Sequence, residues 1–140
     1  MRFSMLLLLS VLFFSCQQSP KSVEKTNRSI EKKVFFKNIN DGDTVKSPFV
    51  VEMGVAKMKI HPAGELKPGT GHHHILIDEP FMKYGEIIPM DAKHLHYGKG
   101  DTVVSLKLKP GPHSLTLQFA NGMHMSYGEQ YSSTINIYVK

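Results

Sequence analysis

Apolar and polar residues alternate along several short segments of the chain, and this two-residue period predicts β-strands. Residues 113–120 show it most clearly, with an apolar side chain at every second position after His113. Residues 102–108 and 131–139 repeat the pattern, and glycine and proline turns separate the segments. Because no segment has the period of a helix of ten or more residues, we predict an all-β fold, an Ig-like antiparallel β-sandwich of about seven strands. Residues 58–71 and 81–100, rich in glycine and proline, are expected to be long irregular loops.

A different pattern stands at the N-terminus. Residues 3–14 form an apolar run after Arg2, and this run is shorter than the about 20 residues that a spanning helix needs. The run ends at Ser15, directly before Cys16, which is the single cysteine of the chain. An apolar run that ends in a small residue before cysteine resembles a bacterial lipoprotein signal, with cleavage before Cys16 and lipidation of its thiol. A plain secretory signal with an incidental cysteine is the alternative.

The chain therefore divides into three predicted segments. Residues 1–15 are the signal peptide, residues 16–33 comprise the lipidated cysteine and a polar flexible tether, and residues 34–140 form the β-sandwich. Acyl chains on Cys16 would hold the mature protein to a membrane. We expect a lipid-anchored protein of the cell envelope, at the outer membrane and facing the periplasm.

Composition removes several classes of function. A length of 140 residues suits one domain. The net charge of +5 comes with only two arginines, so a surface that reads nucleic-acid phosphates is not expected. One cysteine excludes an intramolecular disulfide and a cysteine-based zinc site. What stands out is the presence of eight histidines and eight methionines.

Three consecutive histidines, His72, His73 and His74, lead into one of the predicted strands. Successive side chains of a strand point to opposite faces, so His72 and His74 are expected to project together while His73 faces the other way, with Ile75 and Ile77. His94 and His96 have the same spacing of two residues, which places two imidazoles on one side of an extended segment.

Antiparallel pairing decides which of these histidines can meet. If the strand predicted at residues 73–78, which follows the start of the histidine triplet, runs antiparallel to residues 113–120, its start lies beside the end of that second strand, where the triplet 123–125 follows. His113 then lies at the far end. A common site requires the imidazole of His124 to lie within about 10 Å of His72 or His74.

The types of donor atom indicate a metal. Imidazole binds copper and zinc, whereas thioether sulfur is soft and selects Cu(I), so a mixture of histidine and methionine favours copper, with zinc second. The candidate ligands are His72, His74, His124, His94, His96, Met123 and Met125. The structural alternatives are histidines that only order loops by hydrogen bonds and methionines that only fill the core. His113 is interpreted as a structural histidine.

Three functions follow from this reading. The first is a non-enzymatic envelope lipoprotein that sequesters copper or exchanges it with a donor or acceptor protein. The second is an envelope interaction module that binds a protein or a glycan, with structural histidines. The third is a metal-dependent enzyme, which is disfavoured because no Gly-x-Ser-x-Gly elbow and no His-Glu-x-x-His motif occurs.

Several longer motifs also carry a resemblance. They are Asp-Gly-Asp-Thr-Val-Lys-Ser-Pro, Thr-Gly-His-His-His-Ile-Leu-Ile-Asp, His-Leu-His-Tyr-Gly-Lys-Gly and Leu-Lys-Pro-Gly-Pro-His-Ser-Leu-Thr-Leu. Together they resemble the DUF4399 family of small exported bacterial domains of uncharacterised function. The resemblance covers about residues 34–140 and implies an Ig-like exported domain without implying an activity. Met123-His124-Met125 is richer in methionine than that family leads us to expect.

Overall fold

The computed structural model describes residues 31–140. The predicted signal peptide, Cys16 and most of the predicted tether lie outside these residues. In chain order the strands are β1 Val34–Phe36, β2 Thr44–Val45, β3 Phe49–Val55, β4 Lys59–Ile60, β5 Thr70–Ile77, β6 His94–His96, β7 Val103–Leu106, β8 Gly111–Ala120 and β9 Ser132–Val139. One 3-10 turn, Glu129–Tyr131, precedes β9, and the described residues contain no α-helix.

The strands form two sheets. The smaller sheet has the order β1-β3-β7, and the larger has the order β2-β9-β8-β5-β4, with β6 also paired to β5. In an Ig-like sandwich one sheet contains early strands of the chain and the other contains the last two strands side by side. The present strand order, with β9 and β8 adjacent in the larger sheet, has this arrangement. The long ladders are antiparallel as predicted, but two short pairings, β2 with β9 and β4 with β5, are parallel. The predicted all-β sandwich is therefore confirmed, with a mixed rather than purely antiparallel larger sheet.

The hydrophobic core lies between the sheets. In β8 and β9 every second side chain points into it, and the smaller sheet contributes from β1, β3 and β7. The buried core residues of these five strands are Leu115, Leu117, Phe119, Ile135, Ile137, Val139, Val34, Phe49, Val51, Met53 and Leu106. Burying an aliphatic or aromatic side chain of this size contributes about 1.5–3 kcal/mol, so the alternation seen in the sequence is what stabilises the fold.

Two regions predicted as loops contain short strands. Residues 58–71 include β4, and residues 81–100 include β6, which pairs antiparallel with β5. Both strands are only two or three residues long and run along the open edge of β5. Their backbone groups gain partners there, although their side chains show no apolar alternation that would predict a strand.

The outer face of the larger sheet is covered by the connection between β5 and β6, residues 78–93, which we call the covering loop. The side chain of Gln118 on β8 accepts a hydrogen bond from the Met82 N–H (3.1 Å), and the Thr116 hydroxyl donates to the carbonyl of Glu79 (2.8 Å). Farther along, the Gly85 N–H donates to the carbonyl of Ser126 (2.9 Å). As a result β5 is buried on both faces, including the histidines at its start.

The opposite end of β5 is closed by a hydrogen bond between two side chains. Asp78, which follows β5 with a φ of 56°, lies with Oδ2 2.9 Å from Nδ1 of His113, and its Oδ1 accepts from the Ser114 N–H. His113 therefore lies away from the other strand-borne histidines, as predicted. Across residues 31–140 no helix has the length and apolar character required to traverse a bilayer.

Candidate metal centre

The start of β5 separates its three histidines by strand parity. His73 points into the core, where its ring packs edge-on against Phe119 at 5.0 Å between centroids. His72 and His74 point to the outer face, and their Nε2 atoms lie 3.0 Å apart. All three side chains are buried. The predicted division of the triplet is thus what the structure shows.

Strand β6 brings a third imidazole. Its register on β5 places His96 directly opposite His74, so both side chains share the outer face. The stacked rings lie 5.0 Å apart, and the Tyr97 N–H donates to the carbonyl of His73 (3.1 Å), which fixes the end of β6. The third histidine is therefore positioned by backbone pairing and not by a flexible loop.

The connection between β8 and β9 supplies the fourth imidazole, His124. The side-chain oxygen of Asn121 accepts hydrogen bonds from the N–H groups of Met123 (2.9 Å) and Met125 (3.1 Å), which closes a tight turn. His124 adopts a left-handed φ of 62° within this turn, a conformation that costs a non-glycine residue about 1 kcal/mol. Its carbonyl accepts from the Ile88 N–H (3.0 Å), so the covering loop also holds it in place.

These four imidazoles form one group. The ring of His124 lies 5.2 Å from that of His72 and 5.9 Å from that of His74, well within the separation that a common site requires. Nε2 of His124 also lies 3.1 Å from Nε2 of His96. We call His72, His74, His96 and His124 the imidazole cluster.

Three members of the cluster have the spacing of a metal site. Nitrogen atoms of His72, His74 and His96 all lie within 4.8 Å of one another. A tetrahedral ion with metal–nitrogen bonds of 2.0–2.1 Å needs its ligand nitrogens about 3.3 Å apart. Ring rotations that move these nitrogens by about an ångström would therefore let the imidazoles share one ion. His124 lies adjacent as a fourth donor.

Burial lowers the pKa of three members of the cluster, His72, His74 and His96. Loss of hydration, followed by the nearby charges of His96 and His124, lowers the pKa of His72 from 6.5 to about 4. Burial and the neighbouring histidines lower the pKa of His74 to about 2, and burial with the charge of His124 also lowers the pKa of His96. Neutral imidazole is the form that binds a metal ion, so at neutral pH no proton has to be displaced from these rings.

Two of the rings have no hydrogen bond on their other nitrogen. The Nδ1 atoms of His72 and His74 are buried and make no hydrogen bond among the described residues. A buried polar atom without a partner costs about 1–3 kcal/mol. Packing and the Nε2 contacts alone orient these rings, and a rotation toward a shared ion would break no other hydrogen bond of their side chains.

Gly98 leaves the space that the His96 ring occupies. A Cβ at this position would overlap Nε2 and Cε1 of His96. Gly98 has no left-handed φ, so alanine fits its backbone, and the flexible imidazole is what would have to move. A side chain at residue 98 would therefore turn His96 away from the cluster.

The remaining predicted ligands lie elsewhere in the fold. His94 is on the same face of β6 as His96, but its Nδ1 lies 2.8 Å from a carboxylate oxygen of Asp91. It is not a member of the group of three nitrogens that share the short spacing. Met125 lines a separate small cavity beside Tyr84 and Asn121. Metal binding by His94, Met123 and Met125 stays a prediction.

A cavity of about 290 Å³ opens beside the imidazole cluster, and no sequence motif predicts it. Its walls are the imidazoles of His74, His96 and His124 and residues 87–90 of the covering loop. Met90 in this segment was not among the predicted ligands, because it stands alone between Pro89 and Asp91, without a histidine beside it. No hydroxyl or carboxylate side chain lines the cavity.

Fold and geometry together define a small β-sandwich domain with a cluster of four imidazoles on the outer face of its larger sheet. The chain belongs to the family described as Domain of unknown function (DUF4399), whose family model matches residues 51–140. The match includes every member of the imidazole cluster, and it confirms the family predicted from the sequence motifs. Neither the curated proteins nor the solved structures contain a match.

Proposed function

We propose that this protein is an envelope lipoprotein that binds copper through the imidazole cluster and sequesters the ion or passes it to another protein. The observation that supports it is the convergence of four imidazoles from β5, β6 and the connection between β8 and β9, of which the two on β5 are buried. A packed core does not need several adjacent histidines whose nitrogens face one another. A shared ion accounts for all of them.

Copper is preferred to zinc because of the residues around the cluster. Imidazole accepts either ion, but the two loops that flank the cluster carry four methionines, Met82, Met90, Met123 and Met125, and Met90 lines the cavity beside it. Thioether sulfur favours the reduced ion, Cu(I), over Zn(II). A site with imidazole for either oxidation state and sulfur close by suits an ion that changes oxidation state outside the cytoplasm.

A binding role is preferred to catalysis because the groups at the cavity that could act as a general acid or base are the imidazoles proposed as ligands. A hydrolytic site needs a general acid or base near the reacting atoms in addition to the ion. The side chains that line the cavity are imidazoles of the cluster and the apolar residues 87–90. The protein is therefore proposed to hold and release an ion and not to transform a substrate.

Titration of the full chain, purified in detergent, with Cu(I), Cu(II) and Zn(II) tests the proposal. We expect one ion per chain, a dissociation constant below about 1 µM and tighter binding of Cu(I) than of Zn(II). Isothermal calorimetry and competition with a coloured chelator would measure both quantities. Binding weaker than micromolar for all three ions would contradict a metal function.

The membrane anchor is proposed from the sequence of residues 1–16. Cells grown with a labelled fatty acid are expected to incorporate the label into the wild-type chain, and a Cys16→Ser chain should incorporate none, because the thiol is the acceptor. Cell fractionation should find the wild type with the membranes and the variant in the soluble envelope fraction. Equal labelling of both chains would contradict lipidation at Cys16.

One observation favours the interaction module as a second candidate. The covering loop exposes three large apolar side chains, those of Tyr84, Ile87 and Met90. Exposed apolar side chains that lie close together often mark a surface where another protein binds. In this alternative the imidazole cluster only orders the loops. Replacing its histidines would then change the stability of the protein, and neither the wild type nor the variants would bind a metal ion.

A further inference from the structure

The cavity beside the imidazole cluster holds one side-chain donor atom that is not a nitrogen. Its lining consists of three imidazoles and residues 87–90, and the only side-chain heteroatom that this segment contributes is the sulfur of Met90. A soft ion in the cavity would therefore meet imidazole nitrogen on one side and thioether sulfur on the other. This arrangement concerns the same site as the proposed function and rests on it.

The backbone on both sides of Met90 is fixed. Two residues before it, Ile88 is buried (4% exposed) and its N–H donates to the carbonyl of His124. Directly after it, Asp91 accepts hydrogen bonds from the N–H groups of Lys93 and His94. The loop thus holds the Met90 backbone beside the cluster.

The Met90 side chain itself is mostly exposed to solvent. It is 80% exposed, and a methionine side chain has three rotatable bonds. A side chain this exposed gains little free energy from apolar packing, so packing does not explain why a methionine stands at this position. An exposed side chain with three rotatable bonds, on a backbone held beside the cavity, can rotate toward an ion that binds there.

The two methionines beside His124 are placed less favourably. Met123 is 51% exposed and Met125 lines a different cavity, and neither is among the residues that line the cavity at the cluster. We propose that Met90 is the thioether ligand of the metal centre and that it gives the site its affinity for soft monovalent ions, Cu(I) and its redox-stable analogue Ag(I).

The test compares Met90→Leu with a matched control, Met123→Leu, in the full chain. Leucine keeps the volume and apolar character of methionine but removes the sulfur. Met90→Leu is expected to weaken Ag(I) binding about tenfold or more and to leave Zn(II) binding within about twofold, because zinc gains little from a thioether. Met123→Leu should change neither affinity.

A second measurement does not depend on affinity. With methionine methyl groups labelled with carbon-13, Ag(I) should shift the Met90 methyl resonance, and the Met123 resonance should stay in place. If the wild type binds Ag(I) and Zn(II) but Met90→Leu changes neither affinity and the Met90 resonance does not move, Met90 is not a ligand and the proposed function stands. If the wild type binds neither ion, the metal function itself fails and this inference with it.

Discussion

Replacing His72 and His74 together by alanine is expected to lower the affinity of the protein for copper at least about a hundredfold, equivalent to about 2.7 kcal/mol. These residues provide two of the three imidazoles whose nitrogens lie within 4.8 Å of one another, and both are fixed on β5 between two other strands. The remaining pair, His96 and His124, would offer too few donors for a tight site. Calorimetric titration of the wild type and the double variant measures the difference.

Two control variants separate loss of ligands from loss of fold. His113→Ala removes the contact with Asp78 at the far end of β5, so it should reduce stability and leave copper affinity unchanged. Gly98→Ala keeps every imidazole but crowds the His96 ring, so it should weaken copper binding by less than the double variant does. The metal centre would be refuted at these residues if the double variant folded and bound copper like the wild type.

Acid is expected to unfold the metal-free protein in a defined pH window. Burial, aided by the charges of His72 and Lys37, lowers the pKa of His73 from 6.5 to about 4. Above pH 6.5 His73 is neutral in both the folded and the unfolded chain. As the pH falls from 6.5 to about 4, His73 binds a proton in the unfolded chain but not in the folded chain, so the free energy of unfolding decreases. Below about pH 4 His73 is protonated in both states, and its contribution to the decrease ends.

The magnitude of that decrease is on the order of 3 kcal/mol for His73 alone, since each pKa unit corresponds to about 1.4 kcal/mol. The lowered pKa values of His72 and His74 act in the same direction. Urea unfolding at pH 7, 5.5 and 4, followed by circular dichroism, measures the slope. Bound copper should raise the stability without flattening the slope, because the ion keeps His72 and His74 unprotonated in the folded chain only.

His73→Leu isolates the contribution of His73 to this pH dependence. Both ring nitrogens of His73 are buried without a hydrogen bond among the described residues. Leucine fills a similar volume beside Phe119 and cannot be protonated, so this variant should be at least as stable as the wild type at pH 7 and clearly more stable at pH 5. Copper affinity should be unchanged. An identical acid slope in both proteins would rule out His73 as a source of it.

The sequence was sufficient for the fold class and for the pairing that creates the cluster. Alternation in β8 and β9 predicted which side chains enter the core, and the two-residue period separated His73 from its neighbours. Antiparallel pairing of β5 with β8 then brought His124 to His72. These features depend on local periodicity and on one strand pairing, and both can be read from the order of residues.

Other features of the site depend on contacts that no local pattern encodes. His94 and His96 have equal spacing and lie on the same face of β6, yet only His96 stands opposite His74, because the register of a three-residue edge strand is set by its backbone partners. Asp91 then engages His94. The position of Met90 depends on how the covering loop packs on the sheet, and a lone methionine between proline and aspartate gives no sign of it.

The position of β6 at the sheet edge suggests how the ion would be exchanged. His72 and His74 lie on an interior strand with a long ladder to β8, whereas His96 lies on three residues that pair with β5 alone. Short edge strands open locally at a small fraction of the free energy of global unfolding. Local opening of β6 would withdraw one imidazole while the other ligands keep their places. The dissociation rate of the bound ion would therefore depend on how often β6 opens and would be independent of the stability of the core.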